Sequence, residues 1–310
     1  MKREVEDSEE KYIIALLLDI AGAFDAAWWP EILRILRRWK CPRNLYRLVR
    51  DYFRKRRVTL KAGNGEVDKD ITKGCPQGSV LGPLLWIILF DGFLRLAFGN
   101  AITARAYADD GLVLVKENTS PELMRLCTRV LQMILRWGDA RKMTFSKEKT
   151  VMLLLKGKLV ERFLRADMGD VRIQCSTEAK YLGVMIRSGM KFSGQYEKIV
   201  EKTMKAFGKL KGLAKAHNGM KCESLRRLYI GALEPMVLYG CEMWGQRMRG
   251  RGEKSKLMSL QRKLLLGVIK GYSTISHEAV RVIARVIPLD LMIEERIKRR
   301  SDKEAGIDKS

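Results

Sequence analysis

The sequence predicts an α+β protein in two parts, a mixed α/β domain followed by an all-α region. Three observations lead there. An unbroken apolar run, Tyr12 to Ile20, has the length and β-branched content of a buried strand. Several shorter strand-like segments then alternate with helical patterns up to about residue 190. Beyond Met190 the pattern becomes almost purely helical and strongly basic.

The elements follow in order. Tyr12 to Ile20 ends in an acid, Asp19, delivered at the edge of apolar sequence. Pro30 and Glu31 open a helix, with Pro at a tolerated first-turn position and Ile32, Leu33, Ile35 and Leu36 on its apolar face. A second helix covers Asn44 to Phe53 and runs into Arg54-Lys55-Arg56-Arg57. Val58 to Leu60 and Val67 to Ile71, separated by Gly63-Asn64-Gly65, form a hairpin. After the turn residues Gly74, Pro76 and Gly78, a long apolar helix is expected from Ser79 to Phe98. Thr103 to Val115 reads as two short strands meeting at an acidic turn. Leu123, Cys127, Val130, Ile134 and Trp137 recur at helical spacing within Pro121 to Arg141. Thr150 to Leu155 and Tyr181 to Ile186 are expected as short strands. Lys191 to Ala216, Glu223 to Leu238, Lys254 to Lys270 and Ser276 to Val286 are expected as helices. The domains are therefore placed at 1–190 and 191–310.

Composition narrows the classes. The chain has 310 residues, with 60 Lys+Arg against 36 Asp+Glu, a formal net charge of +24. An excess of this size points to a polyanion, and nucleic acid fits better than a membrane surface. The apolar stretch Val80 to Phe90 is too short to span a bilayer. The first ten residues are polar and acidic where a signal peptide needs an apolar core, so an intracellular, unsecreted protein is expected. The six cysteines form no CxxC pair and there are two histidines, which disfavours a structural zinc site and suggests reduced thiols.

Three acids could carry chemistry. Asp109 and Asp110 lie between strand-like segments, where adjacent like charges repel unless a cation compensates. Strands of one sheet can bring Asp19 beside them. Carboxylates without histidine or cysteine suit Mg²⁺ or Mn²⁺, and two such ions would clamp the oxygens of a phosphoryl transfer. Taken alone, Asp109-Asp110-Gly111 reads equally well as a plain hairpin turn.

The wider motif set favours chemistry. Asp19-Ile-Ala-Gly-Ala-Phe24-Asp25, Gly74-Cys-Pro76-Gln77-Gly78-Ser-Val-Leu-Gly82-Pro83 and Tyr107-Ala-Asp109-Asp110 occur in this order. Together they resemble the successive palm motifs of reverse transcriptases. Met143-Thr-Phe-Ser-Lys-Glu-Lys149-Thr150 and Tyr181-Leu182-Gly183 resemble the family's lysine-bearing segment and primer-grip turn. Leu233-Glu-Pro235 through Trp244-Gly245, Leu260-Gln261-Arg262-Lys263 and Ile283 through Pro288-Leu289-Asp290 resemble the segment after the palm in non-LTR (LINE-type) retrotransposons.

The resemblance implies a polymerase palm, an antiparallel sheet packed on helices, followed by a thumb-like helical region. It implies an RNA-directed DNA polymerase extending a primer 3′-hydroxyl on an RNA template, with dNTPs and two Mg²⁺ ions (Mn²⁺ as a substitute). Asp19, Asp109 and Asp110 would hold the metals. Phe24 would lie under the nucleotide sugar and exclude a 2′-hydroxyl. Gln77 and Gly78 would contact the incoming nucleotide, and Lys149 would protonate departing pyrophosphate. Tyr181, Leu182 and Gly183 would position the primer. Lys198, Lys202, Lys205, Lys209 and Lys211, near helical spacing, would lie along an RNA–DNA hybrid. Arg54 to Arg57 could grip phosphate or be a solvated helix end, and Trp137 and Trp244 read as core. The family location is the nucleus or a cytoplasmic ribonucleoprotein.

Only 18 residues precede Asp19, whereas the family carries a fingers region before this motif. The chain is therefore expected to be a fragment lacking the fingers and endonuclease regions. A competing reading is a non-catalytic nucleic-acid-binding remnant of a truncated element. A maturase-like intron protein would share the palm but not the C-terminal motifs.

Overall fold

A computed structural model describes all residues except Asn64, Gln77, Ser193, 214–218, 247–249 and 307–310. The chain divides into two compact units. The first comprises Met1–Gly183 with Arg187–Lys191, and the second Val184–Ile186 with Phe192–Ser310.

The first unit is built on β1 (Tyr12–Ile20), which is buried along its length until Asp19. A short helix, α1 (Lys2–Glu6), precedes it, held by Glu4 against Arg105 at 2.9 Å and Lys116 at 3.6 Å. After β1 come α2 (Trp29–Arg38), α3 (Arg43–Phe53), the hairpin β2 (Arg57–Ala62) and β3 (Gly65–Asp70), and α4 (Gly82–Leu94). Next are β4 (Ile102–Tyr107), β5 (Asp110–Glu117), α5 (Ser120–Asp139), β6 (Phe145–Lys156), β7 (Arg165–Met168), β8 (Val171–Ser176) and β9 (Glu178–Tyr181). Six strands form one sheet in the order β4-β5-β1-β6-β8-β7. Even-numbered residues of β1 (Ile14, Leu16, Leu18, Ile20) join the core made with α2, α4 and α5. The aromatic side chains of that core cluster tightly, with Phe90 and Phe93 stacked 4.8 Å apart and Trp137 edge-on to both.

The α+β class is as expected, but the sheet is mixed. β6 and β8 run parallel, pairing Met152 with Cys175 and Leu153 with Ser176. Several boundaries also differ. The apolar helix is shorter than Ser79 to Phe98. Ser79 stands outside it, its hydroxyl accepting from the Gly82 N–H at 2.9 Å, and Pro83 sits in the first turn. β6 begins five residues before Thr150, because its polar start is paired to the end of β1 rather than signalled by apolar residues. Tyr181 to Ile186 is broken by Leu182 and Gly183, both with left-handed φ (+46° and +79°), so it is a turn between β9 and β10 (Val184–Arg187).

The second unit is helical. It contains α6 (Gln195–Leu213), α7 (Cys222–Leu228), a π-turn at Tyr229–Leu233, α8 (Glu234–Leu238), α9 (Cys241–Trp244), α10 (Arg251–Ile269), α11 (His277–Ala284) and α12 (Leu289–Glu304). The helix expected over Glu223 to Leu238 is interrupted at that π-turn. Pro235, which lacks an N–H, stands two residues past it and removes one ordinary helical hydrogen bond. α10 is central, packing against α6, α7, α11 and α12. Buried Gln261 ties this unit together. Its amide donates to the Tyr229 hydroxyl (3.2 Å) and the Ile287 carbonyl (2.8 Å), and its oxygen accepts from the Leu289 N–H (3.2 Å). Trp137 and Trp244 are both buried, as expected. All six cysteines are free thiols. Among the described residues, no helix is long and apolar enough to cross a membrane.

Candidate active site

Strand pairing brings the three acids to one end of the sheet. β1 lies between β5 and β6, with Leu18 opposite Gly111 and Asp19 opposite Ser146. Gly111 permits this approach, since a Cβ there would stand 3.3 Å from two carbons of Leu18. Asp110, the first residue of β5, therefore lies across the strand pair from the end of β1 that carries Asp19. Asp109 precedes it in the two-residue turn, and Tyr107 pairs with Asp110 across that turn.

The turn is strained and braced. Ala108 has φ +53°, a conformation that costs a non-glycine residue roughly 1–2 kcal/mol. Its carbonyl accepts from the Trp86 indole N–H at 2.9 Å. Trp86 is 1% exposed, stacks on Phe90 at 5.3 Å and lies 5.4 Å from Phe24. One buried ring thus touches both the acidic turn and the aromatic residue that follows Asp19.

On the other side of β1, β6 bulges. Advancing two residues along β1, from Leu17 to Asp19, consumes five along β6, from Val151 to Ser146. The Thr150 hydroxyl closes the bulge by donating to the Ser146 carbonyl at 2.7 Å. Within it, the Lys149 ammonium lies 3.5 Å from the Asp19 carboxylate. Lys147 instead pairs with Asp170 in the turn between β7 and β8. The two neighbouring lysines therefore have different surroundings, and only Lys149 joins the acids.

The loop after β1 is tied to the glycine-proline segment. Phe24 O accepts from Cys75 N and Ala27 O from Gly74 N, both at 2.7 Å. The Trp29 indole donates to the Gly74 carbonyl at 2.8 Å. Gly74 has φ +101°, and a Cβ there would lie 3.3 Å from the Asp25 carbonyl oxygen, so glycine is required. Gly78 is exposed with φ +82°, and Gln77 lies outside the described residues.

The electrostatics are those of crowded carboxylates. Burial, joined by the charges of Asp109 and Asp19, raises the Asp110 pKa above the ordinary aspartate value. Burial also raises the Tyr181 phenol, with the Asp110 charge adding to it and Arg105 opposing. Tyr181 is thereby placed in the electrostatic field of the acids. Among the described residues, no three Asp, Glu, His or Cys side chains converge into a closed metal cage. The donor set nevertheless fits a hard divalent cation. Mg²⁺ is held by one or two carboxylates together with substrate phosphates and water rather than by an all-protein cage.

Residues 2–186 match the family described as reverse transcriptase (RNA-dependent DNA polymerase). The chain belongs to that family. It is 31% identical over 295 residues to a 115 kDa protein in type-1 retrotransposable element R1DM of Drosophila melanogaster, covering 94% of this chain and 28% of that protein. It is 30% identical over 292 residues to the retrovirus-related Pol polyprotein from type-1 retrotransposable element R1 of Bradysia coprophila, covering 94% and 29%. The chain therefore spans under a third of the length of each of these two relatives. Among solved structures, apo telomerase from Candida tropicalis covers 97% of this chain and 52% of its own at 11% identity and TM-score 0.46. The motif resemblance to retrotransposon reverse transcriptases is borne out by the family match and the R1 relatives.

Within this reverse transcriptase domain, the sequence motifs did not reveal Trp86, and they include Thr150 without marking any role for it. Both stand in stretches that read as ordinary helix or strand, and their importance depends on hydrogen bonds to residues 22 and 4 positions away. In the helical unit, Lys198, Lys202, Lys205 and Lys209 are exposed on α6, opposite a buried stripe of Ile199, Thr203 and Phe207. Lys205 pairs with Glu201 at 2.7 Å. The side chain of Lys211 lies outside the described residues. In the basic run, Arg56 covers the Tyr52 ring and Arg57 pairs with Asp70, whereas Arg54 and Lys55 are exposed with no ion-pair partner among the described residues.

Proposed function

We propose that this chain carries the nucleotidyl-transfer centre of a non-LTR retrotransposon RNA-directed DNA polymerase. The observation that carries this reading is the meeting of Asp19, Asp109 and Asp110 at one sheet end, with Lys149 beside Asp19. Asp19 and Asp109 would hold two Mg²⁺ ions, with Asp110 assisting, and Mn²⁺ could replace them. When bound, the ions supply charge stabilisation at the primer 3′-oxygen and the α-phosphate.

The chain's own residues do the rest. Phe24, backed by Trp86, lies under the sugar of the incoming dNTP and leaves no room for a 2′-hydroxyl. Gln77 and Gly78 contact that nucleotide. The primer 3′-hydroxyl gives up its proton to solvent as its oxygen bonds to the α-phosphorus and the bond to pyrophosphate breaks, and Lys149 gives the departing pyrophosphate a proton. Tyr181, Leu182 and Gly183 position the primer end. The first unit acts as the palm and the second as a thumb-like region, where Lys198, Lys202, Lys205 and Lys209 hold the RNA–DNA hybrid through its phosphates. The work belongs to retrotransposition, in the nucleus or a cytoplasmic ribonucleoprotein.

Primer extension on an RNA template with Mg²⁺ tests the proposal, comparing the chain with Asp109→Asn. Extension by the chain and none by the variant is expected. Salt-dependent hybrid binding without extension would overturn the catalytic reading in favour of a nucleic-acid-binding remnant.

A further inference from the structure

Away from the acids, the first unit holds a groove of about 700 Å³ between α2, the end of α3 and residues 71–72. Its floor is apolar, formed by Pro30, Leu33 and Ile71 over the stacked rings of Trp29 and Phe53. Its wall is cationic, formed by Arg50, Arg54 and Lys55. Among the described residues, Arg54 and Lys55 make no side-chain hydrogen bond or ion pair, and Arg50 meets only exposed Asp51 at 3.3 Å.

The wall continues along α3. Arg43, Arg47, Arg50 and Arg54 follow one another at spacings of four, three and four, which places them on one helical face, and all four are exposed. At 1.5 Å per residue the stripe is roughly 16 Å long. It ends in the groove, whose floor residue Trp29 donates to the Gly74 carbonyl, in the segment tied to the loop after β1.

We propose that this stripe and groove form a track for a single-stranded polynucleotide leading to the polymerase site. Phosphodiesters would lie on the arginines, and sugars and base faces on the apolar floor. A duplex presents phosphates but no open base faces, so the apolar floor favours a single strand. Trp29 and Phe53 are 7% and 6% exposed, so they shape the floor rather than stack on bases. The template role rests on the polymerase reading; the binding itself does not.

The test uses the whole chain without primer, dNTP or metal. Labelled 12-nucleotide RNA, 12-nucleotide DNA and a 12-base-pair RNA–DNA hybrid are titrated at several salt concentrations. Arg50→Gln/Arg54→Gln/Lys55→Gln should lower single-strand affinity about tenfold or more and reduce the salt slope by about 2, leaving the hybrid within about twofold. Arg129→Gln/Arg136→Gln, exposed cations on α5, is the charge control and should change neither. Uncharged Leu33→Ser should weaken single-strand binding without changing the slope, with melting curves confirming the fold. RNA and DNA single strands losing affinity together indicates backbone recognition; loss confined to RNA indicates contacts to the 2′-hydroxyl. Equal loss in the charge control, or equal loss for the hybrid, overturns the track. A chain inactive in primer extension that still shows the selective loss would refute the polymerase reading and leave the track standing.

Discussion

Trp86→Phe separates the bracing of the acidic turn from its chemistry. The substitution keeps an aromatic ring beside Phe24 and Phe90 but removes the N–H that donates to Ala108. A neutral hydrogen bond contributes about 1 kcal/mol to stability, and the smaller ring leaves a partial cavity costing about another 1–2 kcal/mol. The expected global loss is therefore about 2–3 kcal/mol, read as a shift in urea midpoint at constant slope. The local effect should be larger in function than in stability. The left-handed conformation of Ala108 costs roughly 1–2 kcal/mol, comparable to the hydrogen bond that opposes it. Without the bond the turn relaxes, and Asp109 and Asp110 lose their placement. Single-turnover primer extension on fully folded protein should slow about tenfold or more, because small displacements of reacting groups carry large rate costs. Adding Ala108→Gly to the variant should recover about 1 kcal/mol of stability by removing the strain, but not the rate, since glycine leaves the turn freer. A folded Trp86→Phe chain that extends primers at the original rate would refute the bracing role.

Other expectations follow from the same geometry. Asp110 has a raised pKa in the folded state, so its ionised form destabilises the fold at neutral pH, and this penalty disappears as pH falls through the folded value. Asp110→Asn should therefore raise the melting temperature at pH 7 without Mg²⁺, flatten its dependence on acidification and reduce the stabilisation that Mg²⁺ gives. An unchanged pH dependence would show that the crowding has no thermodynamic effect. Phe24→Val should raise ribonucleotide incorporation about tenfold or more in kcat/KM relative to deoxyribonucleotides; unchanged sugar selectivity in an active chain would remove Phe24 from that role. Gly74→Ala should cost about 2 kcal/mol in chemical denaturation, given φ +101° and the nearby Asp25 carbonyl. Gln261→Leu should cost about 3 kcal/mol, because it strands the Ile287 carbonyl and Leu289 N–H in the core of the helical unit.

What the sequence revealed depended on whether local chemistry or distant pairing made each element. β1 was plain because a strand buried on both sides must be apolar at every position. The central helix α5 was plain because its buried face recurs at the helical period. β7 and β8 were missed, and so was the start of β6, because their residues are mixed and their strand character comes from partners elsewhere in the sheet. α12 was missed for a related reason. Leu289, Ile293 and Ile297 are buried along it, but charged residues outnumber them so heavily that the stripe is inconspicuous.

The same division applies within the site, and Lys149 shows why. Its position in a motif named it, but Lys147 stands two residues away and has the same charge. In an ideal strand the two would point to the same face, and nothing local would distinguish them. The bulge separates them. Three of its features are invisible in the residues themselves: the unequal advance of β6 against β1, the Thr150 hydroxyl that closes the loop, and the Asp170 that draws Lys147 aside. Only then does Lys149 come within 3.5 Å of Asp19. A motif can thus identify the residue types a reaction needs, while the register of a neighbouring strand decides which of two equivalent residues reaches the acids. It follows that Thr150→Val, which keeps the shape but removes the bulge-closing donor, should reduce extension through Lys149. Combined with Lys149→Met, it should add little further loss, whereas independent effects would multiply.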